Sequence, residues 1–253
     1  VTTAPLAARS RPEEARAASR TAPVVRLHFA RRLNLLLVPL FVIAVTLAVS
    51  IVIQVAIQRA GVDVGTVEYA AGARQNPGVA WALSGYLVAM GVATVASTFP
   101  LAAALGTTRR DFALGTALTH ALTALYLTAV FVGLLGLELL TGHWFGGFYV
   151  FDVNVLGAGD PAVLAAAAFL GSWLALSVGG VFGASWLRFG PRGPLAISVV
   201  TIVVVAVAVL LAVPSIAAIA DAFRPWWLAV AAVALIALSV SGTFGFLRRA
   251  SVR

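Results

Sequence analysis

The sequence predicts an all-α integral membrane protein with six transmembrane helices and both termini on the cytoplasmic side. Three observations lead there. First, 61% of the 253 residues are apolar, only 10% are charged, and the mean hydropathy is +1.02. A water-soluble domain is nearer half apolar and a quarter charged. The polar residues are too few to coat a surface facing water, so lipid must be the main solvent. Second, the apolar residues fall into six long runs of helical length, without the alternation of barrel strands. Third, the 17 basic residues, all of them arginine, cluster between those runs and mostly on one side of them.

Taken in order, residues 1–22 read as a disordered cytoplasmic tail, rich in Ala and Arg, with Pro5 and Pro12 and no apolar period. Residues 23–253 form the six-span domain. Its first stretch interleaves Val24, Val25, Leu27, Phe29 and Leu33 with Arg26, Arg31 and Arg32. The two classes do not separate cleanly at helical angles, but the mixture predicts a short helix at the cytoplasmic lipid surface. The spans follow at about 35–57, 79–105, 112–140, 162–187, 195–213 and 226–247. A helix needs about 20 such residues to cross a hydrocarbon core of about 30 Å. The third run carries Glu138 and is longer than required, so it should tilt or project. No cleavable signal peptide is expected, because the first apolar run lies behind a long polar tail and is long enough to span.

Orientation follows from counting arginines. The N-terminal segment, the 106–111 loop, the 188–194 loop and the C-terminal segment together hold fourteen; the opposite side holds only Arg59, Arg74 and Arg224. That asymmetry places the arginine-rich side in the cytoplasm. Trp81, Trp144, Trp226 and Trp227 then fall at the outer interface and Trp186 at the inner one, as an aromatic belt requires. Trp173 is the exception, near the middle of the fourth span.

Several function classes are excluded. Without lysine there is no phosphate-binding loop of the GxxxxGK[ST] type, so the chain is not expected to hydrolyse ATP itself. Without cysteine there are no disulfides, thiolate metal sites or thiol nucleophiles. No Ser/His/Asp arrangement, catalytic carboxylate pair or HExxH motif is present, so no intrinsic enzyme and no directly bound cofactor are expected. The sequence pI of about 11.4 would suggest nucleic acid in a soluble protein. Here the arginines flank apolar runs, so they serve orientation and contact with lipid phosphate, and no nucleic-acid partner is expected.

The most informative stretch is Phe99–Thr116, FPLAAALGTTRRDFALGT, which joins the second and third spans. Gly106 can end one helix, Thr107 or Thr108 can cap the next, and Asp111 sits where a helix N-terminus favours negative charge. Physics alone favours a plain helix–helix turn carrying orientation charges. The pattern of Phe99-Pro100, Leu105-Gly106, Thr108-Arg109-Arg110-Asp111-Phe112 and Gly115-Thr116 nevertheless resembles the first cytoplasmic loop of bacterial ATP-binding-cassette (ABC) exporter permeases of the type-2 class. The close match covers about eighteen residues; elsewhere the likeness is in topology and length. The resemblance implies that Thr107, Thr108, Arg109, Arg110, Asp111 and Phe112 form a coupling loop that docks on a separate ATPase subunit. It further implies a second permease subunit, identical or different, a location in the bacterial plasma membrane, and ATP used only through the partner. Six spans with short loops consume the chain, leaving no room for a fused nucleotide-binding domain.

Other candidates are less pointed. Gly171, Ala175, Gly179 and Gly183 form a four-residue ridge on the fourth span, of the kind that lets helix backbones approach closely. Intrachain packing is the plainer reading of it, and a sliding contact or subunit seam the sharper one. The β-branched first and fifth spans suit lipid or a dimer partner. His120 lies in the third span among Thr116, Thr119 and Thr123, and an ionisable group there is a pathway candidate. A neutral histidine bonded to a threonine is the commoner arrangement. Glu138, near the outer end, reaches outer water or contacts cationic cargo. The aromatic, Gly-rich segment 141–161 is expected to lie in the outer interface, as a short helix or partial re-entrant turn. Its His143, Asp152 and Asp160 match no metal-ligand spacing. The rival functions are a proton-coupled transporter using His120 and Glu138, and a membrane scaffold or sensor that moves no solute.

Overall fold

A computed structural model describes residues 13–30 and 33–250. Among them the chain is helical, with no strand: α1 (Glu13–Phe29), α2 (Val38–Arg59, entered through one π-type turn at Leu33–Leu37), α3 (Val67–Ala73), α4 (Gly78–Ala104), α5 (Arg109–Leu140), α6 (Pro161–Phe189), α7 (Arg192–Ala212), α8 (Ile216–Ala222) and α9 (Trp226–Leu247). Six of these, α2, α4, α5, α6, α7 and α9, are the cores of segments long and apolar enough to cross a membrane. The protein is an all-α, six-span membrane protein.

Local chemistry marks the helix ends. At the turn between α4 and α5, Gly106 takes φ +78°. Its N–H bonds to Ala103 O at 3.0 Å, and the Thr107 N–H reaches back to Ala102 O at 3.0 Å. That pair of bonds is a Schellman ending, which a residue with a Cβ adopts at a cost. Thr108 then caps α5, its hydroxyl oxygen accepting the Asp111 N–H at 3.1 Å while the hydroxyl donates to the Asp111 carboxylate at 2.7 Å. At the opposite face Asp160 caps α6, accepting the N–H groups of Ala162 and Val163, with Pro161 in the first turn.

Helix α6 is the hub, packed against α4, α5, α7 and α9. Its closest neighbour is α4, and the crossing is made by glycine on both sides. A Cβ at Gly91 would collide with Leu176 O, and one at Gly179 with Val88 O, so neither position has room for a side chain. One apolar core fills the outer half of the bundle around Leu87, Leu127, Phe131, Leu135 and Phe151; a smaller one fills the inner half around Val95, Phe99, Phe112, Ala184 and Leu247.

Three elements depart from the sequence reading. Helix α1 begins at Glu13, so ten residues assigned to the disordered tail are helical; residues 1–12 and Arg31 and Arg32 lie outside the described residues. Nor does α1 simply rest on lipid. Val24 and His28 are buried, with Val24 seated on Gly115 of α5, and that tertiary contact supports a helix containing Pro23. Second, α3 is an extra short helix before α4. Third, the 141–160 segment folds inward: Val150, Phe151 and Val153 are buried, and Phe151 meets Phe131 edge-to-face at 5.4 Å. Helix α7 behaves as its all-round apolar composition requires: Gly193 is its one buried residue, and α6 is its main neighbour.

Candidate functional site

The arginine-rich end carries the turn singled out by the sequence, and its six residues do different jobs. Arg110 and Thr108 are exposed and Thr107 half-buried. Asp111 is engaged in the Thr108 cap. Phe112 is fully buried, its ring 5.2 Å from Phe99 and 5.9 Å from His28, so it belongs to the core and presents nothing to a partner. Arg109 turns sideways: its guanidinium Nη1 donates to Leu247 O at 2.8 Å and to Arg248 O, carbonyls at the end of α9; Leu247 O also accepts the Ala250 N–H at 3.2 Å. A cation there adds a charged donor to the last carbonyls of the helix and complements the negative end of its dipole. Between the turn and α1 lies an open groove of about 690 Å³, lined by Pro23, Arg26, Leu27, Leu105, Thr107 and Asp111 among others.

Above this turn, the inner half of the bundle holds a column of buried polar side chains. His28 Nε2 lies 3.1 Å from Thr116 Oγ1, and His120 Nε2 lies 3.1 Å from Thr94 Oγ1. The threonines return their own protons to helix carbonyls: Thr94 to Gly91, Thr98 to Thr94, Thr119 to Gly115 and Thr123 to Thr119. Burial pushes the His28 imidazole from 6.5 down to about 4, so it is neutral at pH 7. His28 Nδ1 and Ser177 Oγ are buried without a partner. His120 thus pairs with a threonine on α4, not with one of the three on its own helix. His28 joins the column because α1 docks on α5; a lone histidine in an arginine-rich stretch carries no periodic signal for that.

The outer end is closed by Glu138. The carboxylate is fully buried and does not reach water. It accepts the N–H groups of Val150 at 3.1 Å, Phe151 at 2.8 Å and Asp152 at 3.2 Å, and the Trp144 indole N–H at 3.1 Å. Four donors converging on one buried carboxylate form a satisfied anion nest. This corrects the expectation of a solvated or cargo-binding Glu138: the acceptor faces the backbone of its own loop. Asp152 beside it is held by Arg74 through Nε at 3.2 Å and Nη2 at 2.8 Å, and by His143 at 3.0 Å. Burial alone would raise the Asp152 pKa, but the Arg74 and His143 hydrogen bonds and charges outweigh it and hold the group below its ordinary value. Asp160, the third acid considered for metal, is the α6 cap. Gln54 of α2 adds another clamp, accepting from the Tyr69 hydroxyl at 3.0 Å and the Tyr149 N–H at 3.2 Å. Under these clamps His143, Trp144 and Phe145 all take positive φ, near 60°, a left-handed turn that costs roughly 1–2 kcal/mol per residue.

His120 and Glu138 lie about 27 Å apart along one helix by rise per residue. Buried Leu127, Phe131 and Leu135 separate them, so the structure does not bring the two pathway candidates together. The small-residue ridge is an intrachain seam: Gly179 and Gly183 face Val88 and Val92 of α4, whereas Gly171 is exposed with nothing near it, so the ridge starts at Ala175.

Helix content, span count and buried polar column define a multi-pass helical membrane protein. Comparison with protein-family models, curated proteins and solved structures gives no match to this chain.

Proposed function

We propose that the chain is the permease subunit of a bacterial ABC transporter, working as an exporter in the plasma membrane beside a second permease subunit and driven by a separate ATPase. The observation that carries the reading is the Arg109 staple. It fastens the turn between α4 and α5 to the end of α9. Val24 and His28 fasten α1 to the same end of α5. A partner that pulls on this turn therefore loads three spans and the N-terminal helix at once. The groove beside the turn offers such a partner a concave seat, with Arg110 and Thr108 facing out. Transport is then a population shift between packings of the bundle, biased by the state of the ATPase. The outer cap over Glu138 serves as the closed outer gate in this packing.

The test is co-expression with a candidate ATPase, the natural choice being one encoded beside this chain. The expected outcome is co-purification, with Arg110→Glu abolishing both the complex and stimulated ATP hydrolysis while the permease stays folded. Failure to co-purify, together with unchanged hydrolysis and solute flux in Arg110→Glu, overturns the assignment.

A further inference from the structure

At the arginine-rich end two cavities adjoin, sharing Phe246 of α9. One, of about 470 Å³, is lined by Arg188, Arg248, Arg249 and Phe246, with Gly242 and Gly245 leaving its floor open. The other, of about 550 Å³, is an apolar groove between α6 and α7, lined by Phe189, Ala196, Ile197, Val200 and the same Phe246, with Arg192 at its mouth. Arg188 marks the join: its guanidinium stacks 4.5 Å from the Phe189 ring and 5.9 Å from Phe246. The four arginines have no carboxylate partner among the described residues, where the only ion pairs are those of Asp152 at the other end of the bundle. The groove continues to Val200, about 12 Å along α7 from Arg192 by rise per residue. A basic pocket opening into an apolar slot at bilayer depth matches one kind of ligand: an anionic head on an apolar tail.

We propose that this is a binding site for one anionic phospholipid of the cytoplasmic leaflet. Its phosphate lies among Arg188, Arg248 and Arg249, and an acyl chain fills the slot between α6 and α7. The chain braces α7, which otherwise packs mainly on α6. A free phosphate satisfies the arginines and leaves the slot empty, as does an acidic protein segment. The site requires only that these helices sit in a bilayer, and it stands or falls separately from the ATPase reading.

The test is native mass spectrometry of the full chain released from mixed micelles, titrated with phosphatidylglycerol or with phosphatidylcholine of the same acyl chains. Phosphatidylglycerol is expected to bind at one site in preference to phosphatidylcholine. The triple change Arg188→Gln, Arg248→Gln, Arg249→Gln should weaken it by roughly tenfold or more. Ala196→Trp, which fills the slot and leaves every charge in place, should weaken it too. Arg249→Gln alone is read in the same way if the triple variant does not fold. Equal binding of the two lipids, or phosphatidylglycerol binding untouched by Arg249→Gln and Ala196→Trp, overturns the proposal. So does inorganic phosphate or a poly-glutamate peptide that displaces phosphatidylglycerol while Ala196→Trp has no effect. Those results assign the arginines to a bare anion or to a protein partner.

Discussion

Arg109, in the first turn of α5, donates its guanidinium N–H to the carbonyl of Leu247, the last residue of α9, at 2.8 Å. The contact joins positions far apart in sequence, where the turn between α4 and α5 meets the end of α9. Its neighbour Arg110 has the same charge and no such contact. Two consecutive arginines therefore do separable work, one holding the bundle and one facing outward.

Arg109→Ala should lower stability by about 1–2 kcal/mol, the worth of charge-assisted bonds to helix-end carbonyls at a half-buried site. Arg110→Ala should stay within about 0.5 kcal/mol of the parent, as exposed substitutions do. Thermal unfolding in detergent, followed by intrinsic fluorescence, distinguishes them; equal shifts in the two variants would contradict the staple.

Glu138→Gln keeps the shape of the side chain and replaces one acceptor oxygen with an NH2 group. That group then faces N–H donors, and a buried donor left unpaired costs about 1–3 kcal/mol. Loosening of the 141–160 segment is the expected result, measured as faster proteolysis there and a red shift of Trp144 emission. Unchanged proteolysis would show that the nest does not hold the outer cap.

The α4/α6 seam predicts a contrast within one ridge. Gly179→Ala places a methyl against the Val88 carbonyl and should cost at least about 1–3 kcal/mol of overpacking. Gly171→Ala, with open space around it, should be neutral or slightly stabilising. Melting temperatures of the two variants decide the matter, and equal values would mean that the seam can slide open freely.

His28 makes stability pH-dependent. Its folded pKa of about 4 lies below the ordinary histidine value of 6.5, so between these values the unfolded chain binds more protons. Stability therefore falls as pH drops below about 6.5, and the loss levels off below about 4 at no more than about 3 kcal/mol. Asp152 acts in the same direction at lower pH: its depressed pKa supplies stability that is lost as pH falls through the acid range. His28→Asn should flatten the melting temperature between pH 7 and pH 5; an unaltered slope would assign the dependence to another group.

The sequence by itself determined the solvent, the number of spans, their approximate limits and the side of the arginines. These depend on composition and run length, which a bilayer reads directly because it demands about 20 apolar residues per crossing. Capping chemistry was equally local, so the Gly106–Asp111 turn was legible residue by residue. Tertiary structure alone decided what the isolated polar groups do. Glu138 is a buried nest rather than a wetted acid because a loop more than ten residues later turns its amides back onto it. His28 is an interior residue because Val24 finds Gly115. Arg109 is a staple because α9 ends beside it. Each of these contacts joins residues distant along the chain, and hydropathy carries no information about which distant partner will satisfy a polar atom. The physical pressure to pair buried donors and acceptors selects those partners only when the helices are assembled.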